Sequence, residues 1–526
     1  MKTFKKDWKL GAAVGTALSL GSAGAIAGPH GFDLHNVLHG ASASFAGTSI
    51  AHVEDPVSAV FGNPATLTTY YGGTNFMFGA TFYMPRATMV HDGSAGYAVS
   101  GTTILDTLVN ADSDVTGALK NLTNSNVANY AFNSTSKADV YAVPTVAVTQ
   151  DLSGLGIPVV LGVGVSATSG IGVDYKHTSN SLGAAAELIN LGVNAGIGMK
   201  MSDTLDVGVS MTITYAMLEA GLTGSGGMTH DIGFRGTIGA RKTLGATTIG
   251  VYYQTEQQHE YDNLHVTSMD GSQPFSVTAL NAGSSTTITS TALTSTIAGG
   301  VVCNGDSVTA TAGVCRQDVR VQQPWNIGLG VAHNLDANTM IMADLTHKKW
   351  SEARFFKEFY YDQNVISVGI QKTMGNLKLR AGYGYADDPL LSRVKVGRAI
   401  SSIGGVNTTG HAYSSPMYGL FMSYFQAMET PVIYKHRVAV GLGVENFLGV
   451  PFLSLDTHAA VQLEEDKCFG SGQIGYTDEY QGAAGFGSTA GMSLTTTADV
   501  AGCKTTDHTK ATVSSFHLGG ALTWSF

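Results

Sequence analysis

The C-terminal stretch SSFHLGGALTWSF (residues 514–526) decides the fold class. Alternate positions put six residues on one face of an extended strand: Phe516, Leu518, Gly520, Leu522, Trp524 and Phe526. The other face carries His517, Gly519, Ala521, Thr523 and Ser525. One face is apolar and aromatic and the other is small or polar, a pattern typical of a strand between lipid and the lumen of a barrel.

The same period of two recurs along the chain, for example in LDVGVSMTITY (205–215) and RVAVGLGVE (437–445). It predicts an all-β fold, a 14-stranded antiparallel transmembrane β-barrel, because bacterial single-chain barrels have an even number of strands. The predicted strands are 73–85, 138–150, 158–168, 188–201, 204–218, 229–242, 247–260, 322–335, 338–352, 363–373, 376–387, 434–447, 451–464 and 512–526.

The connections alternate between short and long. Short links follow the even-numbered strands, whereas long ones follow odd-numbered strands, notably at 86–137, 261–321, 388–433 and 465–511. Short periplasmic turns and long outer loops are the rule for such barrels, so both termini are expected in the periplasm.

The first 27 residues predict a secretory signal peptide. Lysines up to Lys9 precede a Gly/Ala/Leu-rich apolar stretch, and Ala25-Ile26-Ala27 supplies a cleavage site. Without residues 1–27, the 29 basic residues fall to 25 and the 39 acidic ones to 38, which gives a formal charge of −13. An exported, acidic barrel is expected in the outer membrane of a Gram-negative bacterium, with no nucleic acid as partner.

The sequence excludes a membrane protein built from transmembrane helices. Charged residues make up 13% of the chain, which has 66 glycines. After the signal peptide, no stretch approaches the roughly 18 uninterrupted apolar residues that a transmembrane helix needs.

The four cysteines fall in two of the long connections, Cys303 and Cys315 in one, Cys468 and Cys503 in the other. Neither pair has the spacing of a zinc site. In the oxidising periplasm the pattern favours two disulfides, each within a loop, although the other connectivities stay open.

Residues 28–72 precede the first strand of the barrel (73–526) and contain an Asn-Pro-Ala turn. This segment is too small for an autonomous domain and too apolar for a solvated tail. We therefore expect a small N-terminal hatch, a plug that folds into the lumen, where frequent inward glycines leave room for it.

Several motifs resemble the FadL family of outer-membrane channels for long-chain fatty acids and other hydrophobic compounds. They are GFDLHNVLHGASASFAGTSIAHVEDPVSAVFGNPATL (31–67), SATSGIG (166–172), PWNIGLGVA (324–332), KWS (349–351), LRAGYGYADDP (379–389) and the ending HLGGALTWSF. The resemblance implies passive uptake of hydrophobic small molecules. A hatch would gate the channel, and a kink in the third strand would provide a lateral exit.

The resemblance also implies roles for particular residues. Gly31, Phe32 and Leu34 would plug the ligand pocket. Asn63 and Pro64, which form the Asn-Pro-Ala motif with Ala65, would sit against the third-strand kink, where Gly170 and Gly172 permit irregular backbone. An ordinary Asx/Pro turn is the structural alternative for Asn63-Pro64.

This sequence departs from the family pattern at a position that bears on the identity of the ligand. The family's fatty-acid channels have an arginine at the outer end of the fifth strand, and the matching position here is Met217. Met217 favours neutral hydrocarbons, or it is simply a lipid-facing or core residue. Inward-facing Arg380 and Arg437 could supply a cation for a carboxylate, although structural ion pairs in the lumen are the favoured interpretation.

No motif indicates an enzyme, a cofactor or a metal site. Two alternatives remain open, a general diffusion porin and a surface adhesin or phage receptor whose Ser/Thr-rich loops bind a partner. Phe526 is similar to the terminal signal of outer-membrane proteins, which implies contact with the barrel-assembly machinery. Outer-membrane lipid and lipopolysaccharide are the other expected partners, and the barrel is expected to be monomeric.

Overall fold

The computed structural model describes residues 35–91, 132–137, 140–178, 185–220, 228–268, 314–358, 360–390, 431–470, 502–503 and 507–526. The predicted signal peptide, Gly31, Phe32, Leu34 and Cys303 lie outside these ranges. None of the helices within them is long and apolar enough to cross a bilayer.

Antiparallel strands dominate the described residues. They are β1 (Thr74–His91), β2 (Phe132–Thr135), β3 (Tyr141–Asp151), β4 (Val160–Asp174), β5 (Ala185–Lys200), β6 (Leu205–Ala220), β7 (Thr229–Leu244), β8 (Thr247–Gln254), β9 (Gln257–Ser268), β10 (Val314–Gln323), β11 (Asn326–Asp336), β12 (Thr339–Lys348), β13 (Gln363–Met374), β14 (Leu377–Ala386), β15 (His436–Val444), β16 (Leu453–Gly470) and β17 (Asp507–Ser525).

These strands close into a barrel. Each strand of the wall pairs with the next wall strand along the chain, and β17 pairs with β1 from Asn75↔Ser525 to His91↔Thr509. The wall consists of 14 strands, β1, β3 to β8 and β11 to β17, which confirms the predicted number. The short β2 pairs with the outer end of β1, and β9 and β10 form a separate hairpin beyond β8 and β11.

Two predicted strands are each broken in two. The stretch 247–260 divides into β8 and β9, and 322–335 divides into β10 and β11. Pro324, which has no N–H to donate to a ladder, stands at the second break. The predicted strand 338–352 ends early at Lys348, followed by a 3₁₀ turn at Trp350–Glu352. Other 3₁₀ turns lie at Ser153–Leu155, Phe356–Glu358 and Phe447–Gly449.

The alternation of β17 is confirmed. Leu518 and Trp524 are 49% and 53% exposed on the outer face, whereas His517 and Ala521 are 0% and 4% exposed on the inner face. The same alternation holds on β6, where Met211 and Ile213 face outward and Thr212 and Thr214 are buried. A closed barrel with such an apolar outer face is built to span a bilayer.

Residues 35–72, here called the lumenal segment, lie inside the barrel and are almost entirely buried. The segment folds as 3₁₀ turns at His35–Leu38, Ser42–Phe45 and Pro64–Tyr70 and one short helix, α1 (Pro56–Phe61). Asp55 caps α1 by accepting from Ser58 N at 2.8 Å, and its second oxygen accepts from Ala41 N at 2.9 Å. This one carboxylate therefore joins the two halves of the segment.

Inward-facing glycines give the lumenal segment its space, as expected from the sequence. A methyl group at Gly208 would overlap Pro64, and one at Gly250 would overlap Ile50. At Gly369, a β-carbon would lie 2.9 Å from Phe45 Cβ. Since these glycines lie on three well-separated strands, the backbone of the segment approaches the wall around much of its circumference.

The structure tests one of the two predicted disulfides. Cys468 and Cys503 are bonded, with 5.7 Å between their Cα atoms, which confirms that pairing. The Cys303–Cys315 pairing stays a prediction, since Cys303 lies outside the described residues.

The glycine contacts predict that Gly239→Ala on β7 weakens the protein. The new methyl group would overlap the Asn63 side chain, and overpacking of this kind costs about 1–3 kcal/mol. Gly236→Ala on the same strand is the matched control, because the nearest atom to its methyl group would be Thr255 Cγ2 at an ordinary 3.8 Å. Urea unfolding in lipid vesicles should separate the two variants. Equal free energies of unfolding would contradict the proposed contact.

Candidate functional site

Barrel side chains hold the lumenal segment by its backbone. Asp344 on β12 accepts from Ser49 N at 2.7 Å and from Ile50 N at 3.0 Å. Asn194 on β5 donates to Val60 O at 2.9 Å, on the other side of the lumen. Because the segment forms little regular structure, the wall supplies partners that its buried backbone groups would otherwise lack.

Asn63 fixes the Asn-Pro-Ala turn. Its Oδ1 accepts from Ala65 N at 3.1 Å, and its Nδ2 donates to Ile50 O at 2.8 Å and to Ala240 O on β7 at 3.2 Å. The expectation that Asn63 and Pro64 sit against the third-strand kink is corrected here. They pack on the periplasmic halves of β6 and β7, where Gly208 and Gly239 admit them.

The third wall strand, β4, is irregular at the predicted place. Its pairing with β3 ends at Val146↔Val165, whereas its pairing with β5 continues to Asp174↔Ala185. A bulge lies between Ala167 and Ser169. Within the described residues, 166–173 therefore pair on one side only, and the next backbone contact on the other side is Lys137 N to Asp174 O at 2.9 Å.

Gly170 and Gly172 lie in this outer part of β4, just beyond the bulge, and pair with Ile189 and Glu187 of β5. Successive residues from Ser169 to Val173 are all buried, unlike the alternation elsewhere in the wall. This continuous burial departs from the pattern of a wall strand that exposes every second residue to lipid.

The residue of the lumenal segment that contacts the β4 irregularity is His39. Its Nε2 lies 2.8 Å from Ser166 Oγ, and its Nδ1 lies 3.0 Å from Asn36 Oδ1. No sequence motif pointed to this contact. Phe61, whose ring lies 5.5 Å from the His39 ring, packs beside it against Gly164.

A second anchor is ionic. Glu54 of the lumenal segment pairs with Lys378 on β14 at 2.8 Å and lies 3.5 Å from Arg380. Arg380 also pairs closely with Asp456 and donates to Gln371 Oε1 at 2.8 Å. This arrangement agrees with structural ion pairs in the lumen rather than with a free cation at Arg380.

Arg437 on β15 differs from Arg380. Its Nη2 donates to Val37 O at 2.6 Å and approaches Ala43 O at 3.4 Å, both in the lumenal segment. Its Nη1 lies 3.3 Å from His517 Nδ1. No carboxylate of the described residues pairs with this buried guanidinium, so backbone carbonyls of the segment are its main acceptors.

Met217 does not face the lumen. It shares the outward face of β6 with Met211, Ile213 and Tyr215, because the strand keeps its period of two. The inward positions beside it are Ala216 and Leu218, both buried. This outward position agrees with the lipid-facing alternative for Met217 and not with a ligand contact inside the barrel.

Above the lumenal segment, an apolar cluster fills the outer end of the lumen. It combines inward residues of several strands with aromatic residues from the β12–β13 connection, namely Trp350, Phe355, Phe356 and Tyr360. A small cavity lies between the lumenal segment and the β4 bulge. Ala167 and Thr168 of the β4 bulge, His39 and Phe61 of the segment and Gln257 of β9 are among its lining residues.

The chain is similar in fold to solved structures of low sequence identity. The P. putida toluene transporter TodX aligns over 93% of this chain and 99% of its own, at 15% identity and a TM-score of 0.51. A Pseudomonas aeruginosa FadL homologue aligns over 94% of this chain and 99% of its own, at 13% identity and a TM-score of 0.56. The chain has the fold of the FadL-type channels. No protein-family model and no curated protein matches its sequence.

The FadL-type fold bears out the resemblance drawn from the motifs. Together with the apolar outer face, it places the protein in a Gram-negative outer membrane. In the part of the chain that the structure describes, no group of His, Cys, Asp and Glu could hold a metal ion.

The His39 contact predicts a pH dependence. Burial lowers the pKa of His39 from 6.5 to about 4. Between these values the unfolded chain binds the proton and the folded one does not, so stability is lost as the pH falls. From pH 7 to pH 5 this group should cost about 2 kcal/mol.

Urea unfolding of the parent chain and of His39→Gln at both pH values measures this contribution. Glutamine keeps hydrogen-bonding capacity but cannot titrate, so the variant should lose less stability on acidification. Parallel losses in the two proteins would exclude His39 as the source.

Proposed function

We propose that the protein is a non-enzymatic channel for the passive uptake of hydrophobic compounds across the outer membrane. The lumenal segment acts as its hatch, and the β4 irregularity acts as its lateral exit. The observation that carries the proposal is the contact between the two. His39 of the segment hydrogen-bonds Ser166 at the residue where β4 stops pairing with β3.

The proposed path begins in the apolar cluster at the outer end of the lumen. A ligand that displaces aromatic side chains there reaches the cavity beside the β4 bulge. Movement of the segment then breaks the His39–Ser166 contact and lets the ligand leave sideways between β3 and β4. An apolar solute that follows this path avoids water, and its transfer from the pocket to lipid needs no energy source.

Two features bear on the ligand class. Arg380 is engaged by Asp456 and Glu54, so it offers no free cation to a fatty-acid carboxylate. Arg437 holds the lumenal segment, and a carboxylate could reach it only by replacing Val37 O and Ala43 O. These contacts favour neutral hydrophobic compounds over long-chain fatty acids. TodX, one of the structural neighbours, is a toluene transporter.

The filled lumen argues against a general diffusion porin. Such a porin keeps a polar, water-filled passage open, whereas here the lumenal segment and the apolar cluster occupy the described interior. Nothing in the described residues favours an adhesin or phage-receptor role.

Uptake of radiolabelled toluene and oleate tests the proposal, in a Gram-negative host that lacks its own hydrophobic channel. We expect toluene uptake above the empty-vector level and little uptake of oleate. Deletion of Thr168 removes the bulge residue, so that β4 can pair with β5 without interruption. The deletion should reduce toluene uptake at least about tenfold.

Thr168→Ala is the matched control, because it keeps the bulge and should transport like the parent. Unboiled gel mobility verifies that each barrel is folded. Oleate uptake with no toluene uptake would overturn the ligand class. Undiminished toluene uptake after the deletion would overturn the lateral exit.

A further inference from the structure

The interior above the lumenal segment has two layers of different polarity. Toward the outer end of the barrel, the inward-facing residue of β5 changes from Asn190 to Leu188, and that of β6 changes from Thr214 to Ala216. The β9–β10 hairpin changes in the same way, from Gln323 to Val321. All these residues are buried, so the change of polarity is built into the packing. An apolar layer therefore lies above a neutral polar layer.

The β9–β10 hairpin brings its polar layer inside the barrel. Gly233, which alternates with the exposed Phe234 and so faces inward, would place a β-carbon 2.8 Å from Gln258 O. Gln257 then reaches across and donates to Thr214 Oγ1 at 2.7 Å. The hairpin thus crosses the inner face of β7 and places Gln257 and its partner Gln323 at the lumen.

Two carboxamides of the polar layer have no hydrogen-bond partner in the described structure. They belong to Asn190, which is 0% exposed, and Gln323, which is 1% exposed. For each side chain both the amide nitrogen and the oxygen are unpartnered, and Ser169 Oγ, opposite Asn190 in the β4–β5 ladder, is unpartnered too. Buried groups in this state are costly, which calls for a partner that the protein itself does not supply.

Both carboxamides lie next to residues that line the cavity beside the β4 bulge. Thr168, which lines it, donates to the backbone oxygen of Asn190 at 3.3 Å. Gln257, which also lines it, pairs with Gln323 in the hairpin. Arg235 also lines the cavity, but its guanidinium is engaged, since it donates to Thr255 O at 2.8 Å and to Pro324 O at 2.6 Å. The site is therefore rich in neutral groups that both donate and accept.

We propose that this site binds the hydroxyl group of a neutral amphiphile, such as a phenol or an alcohol, whose apolar body lies in the aromatic cluster above. This inference rests on the proposed function and narrows its substrate class. A hydroxyl group donates and accepts, as a carboxamide does, so it can pair with the carboxamide of Asn190 or of Gln323. A plain hydrocarbon leaves both unpartnered, and a carboxylate would be desolvated at a site whose lining cation, Arg235, is already engaged by backbone carbonyls.

The test compares three ligands with one body: 4-propylphenol, propylbenzene and 4-propylbenzoate. Their equilibrium binding to the full chain in lipid nanodiscs is measured at pH 7.5. We expect the phenol to bind about tenfold more tightly than propylbenzene, as one or two net hydrogen bonds would give, and the benzoate to bind most weakly.

Substitutions distinguish the contribution of the polar layer to ligand binding from that of the apolar layer. Asn190→Leu and Gln323→Leu should each weaken phenol binding at least about fivefold and leave propylbenzene binding within about twofold. Leu218→Ala in the apolar layer is the control and should weaken the binding of both. Because the two leucine substitutions remove unpartnered polar groups, both variants should resist heat at least as well as the parent.

Two results would overturn this inference while the proposed function stands. They are equal binding of phenol and propylbenzene, and equal effects of Asn190→Leu on both neutral ligands. Tightest binding of the benzoate would overturn this inference together with the proposed preference for neutral ligands. Loss of heat resistance in both leucine variants would assign the carboxamides to a structural role and would also overturn it. If none of the three ligands bound the unmodified chain, the proposed function would fail as well.

Discussion

The structure depends on the close approach between the backbone of the lumenal segment and the inner wall of the barrel. Fewer than 40 residues fill the lower lumen, because glycines such as Gly208 and Gly250 leave no side chain between the wall and the segment. The approach removes water from backbone groups that no helix or strand satisfies. Wall side chains therefore have to replace it, as Asp344, Asn194 and Arg437 do.

This dependence fits the proposed role of the segment as a hatch, which has to close the barrel and also open it. Its contacts are individual hydrogen bonds and ion pairs rather than a continuous ladder, so each can be broken separately. The His39–Ser166 contact lies where the wall itself is least regular. Displacement of the segment at that point would expose the one-sided pairing of β4, and this links the proposed hatch to the proposed exit.

Much of the fold follows from local sequence pattern. The period of two predicted all fourteen wall strands, because the alternation of inward and outward side chains depends only on the sequence of each strand. The same pattern, applied strictly, would have placed Met217 outside with Ile213 and Tyr215. The match to a family position suggested instead that Met217 contacts a ligand in the lumen. The breaks at Thr255 and Pro324 were missed, although a proline at that position signals an interrupted ladder.

The contacts inside the lumen could not be predicted in this way. Which wall strand meets His39, Asn63 or Arg437 depends on how an irregular segment folds across the barrel, and no periodicity encodes that path. The unpartnered carboxamides of Asn190 and Gln323 could not be predicted either, since the sequence shows that these residues are polar but not that they lack a partner in the described structure.

Single-channel recording in planar bilayers shows whether the lumenal segment seals the barrel. The full chain should give no steady ion conductance. Removal of residues 28–72 should produce a steady open channel. Steady conductance from the intact, folded chain would contradict the account and return the protein to the class of diffusion porins.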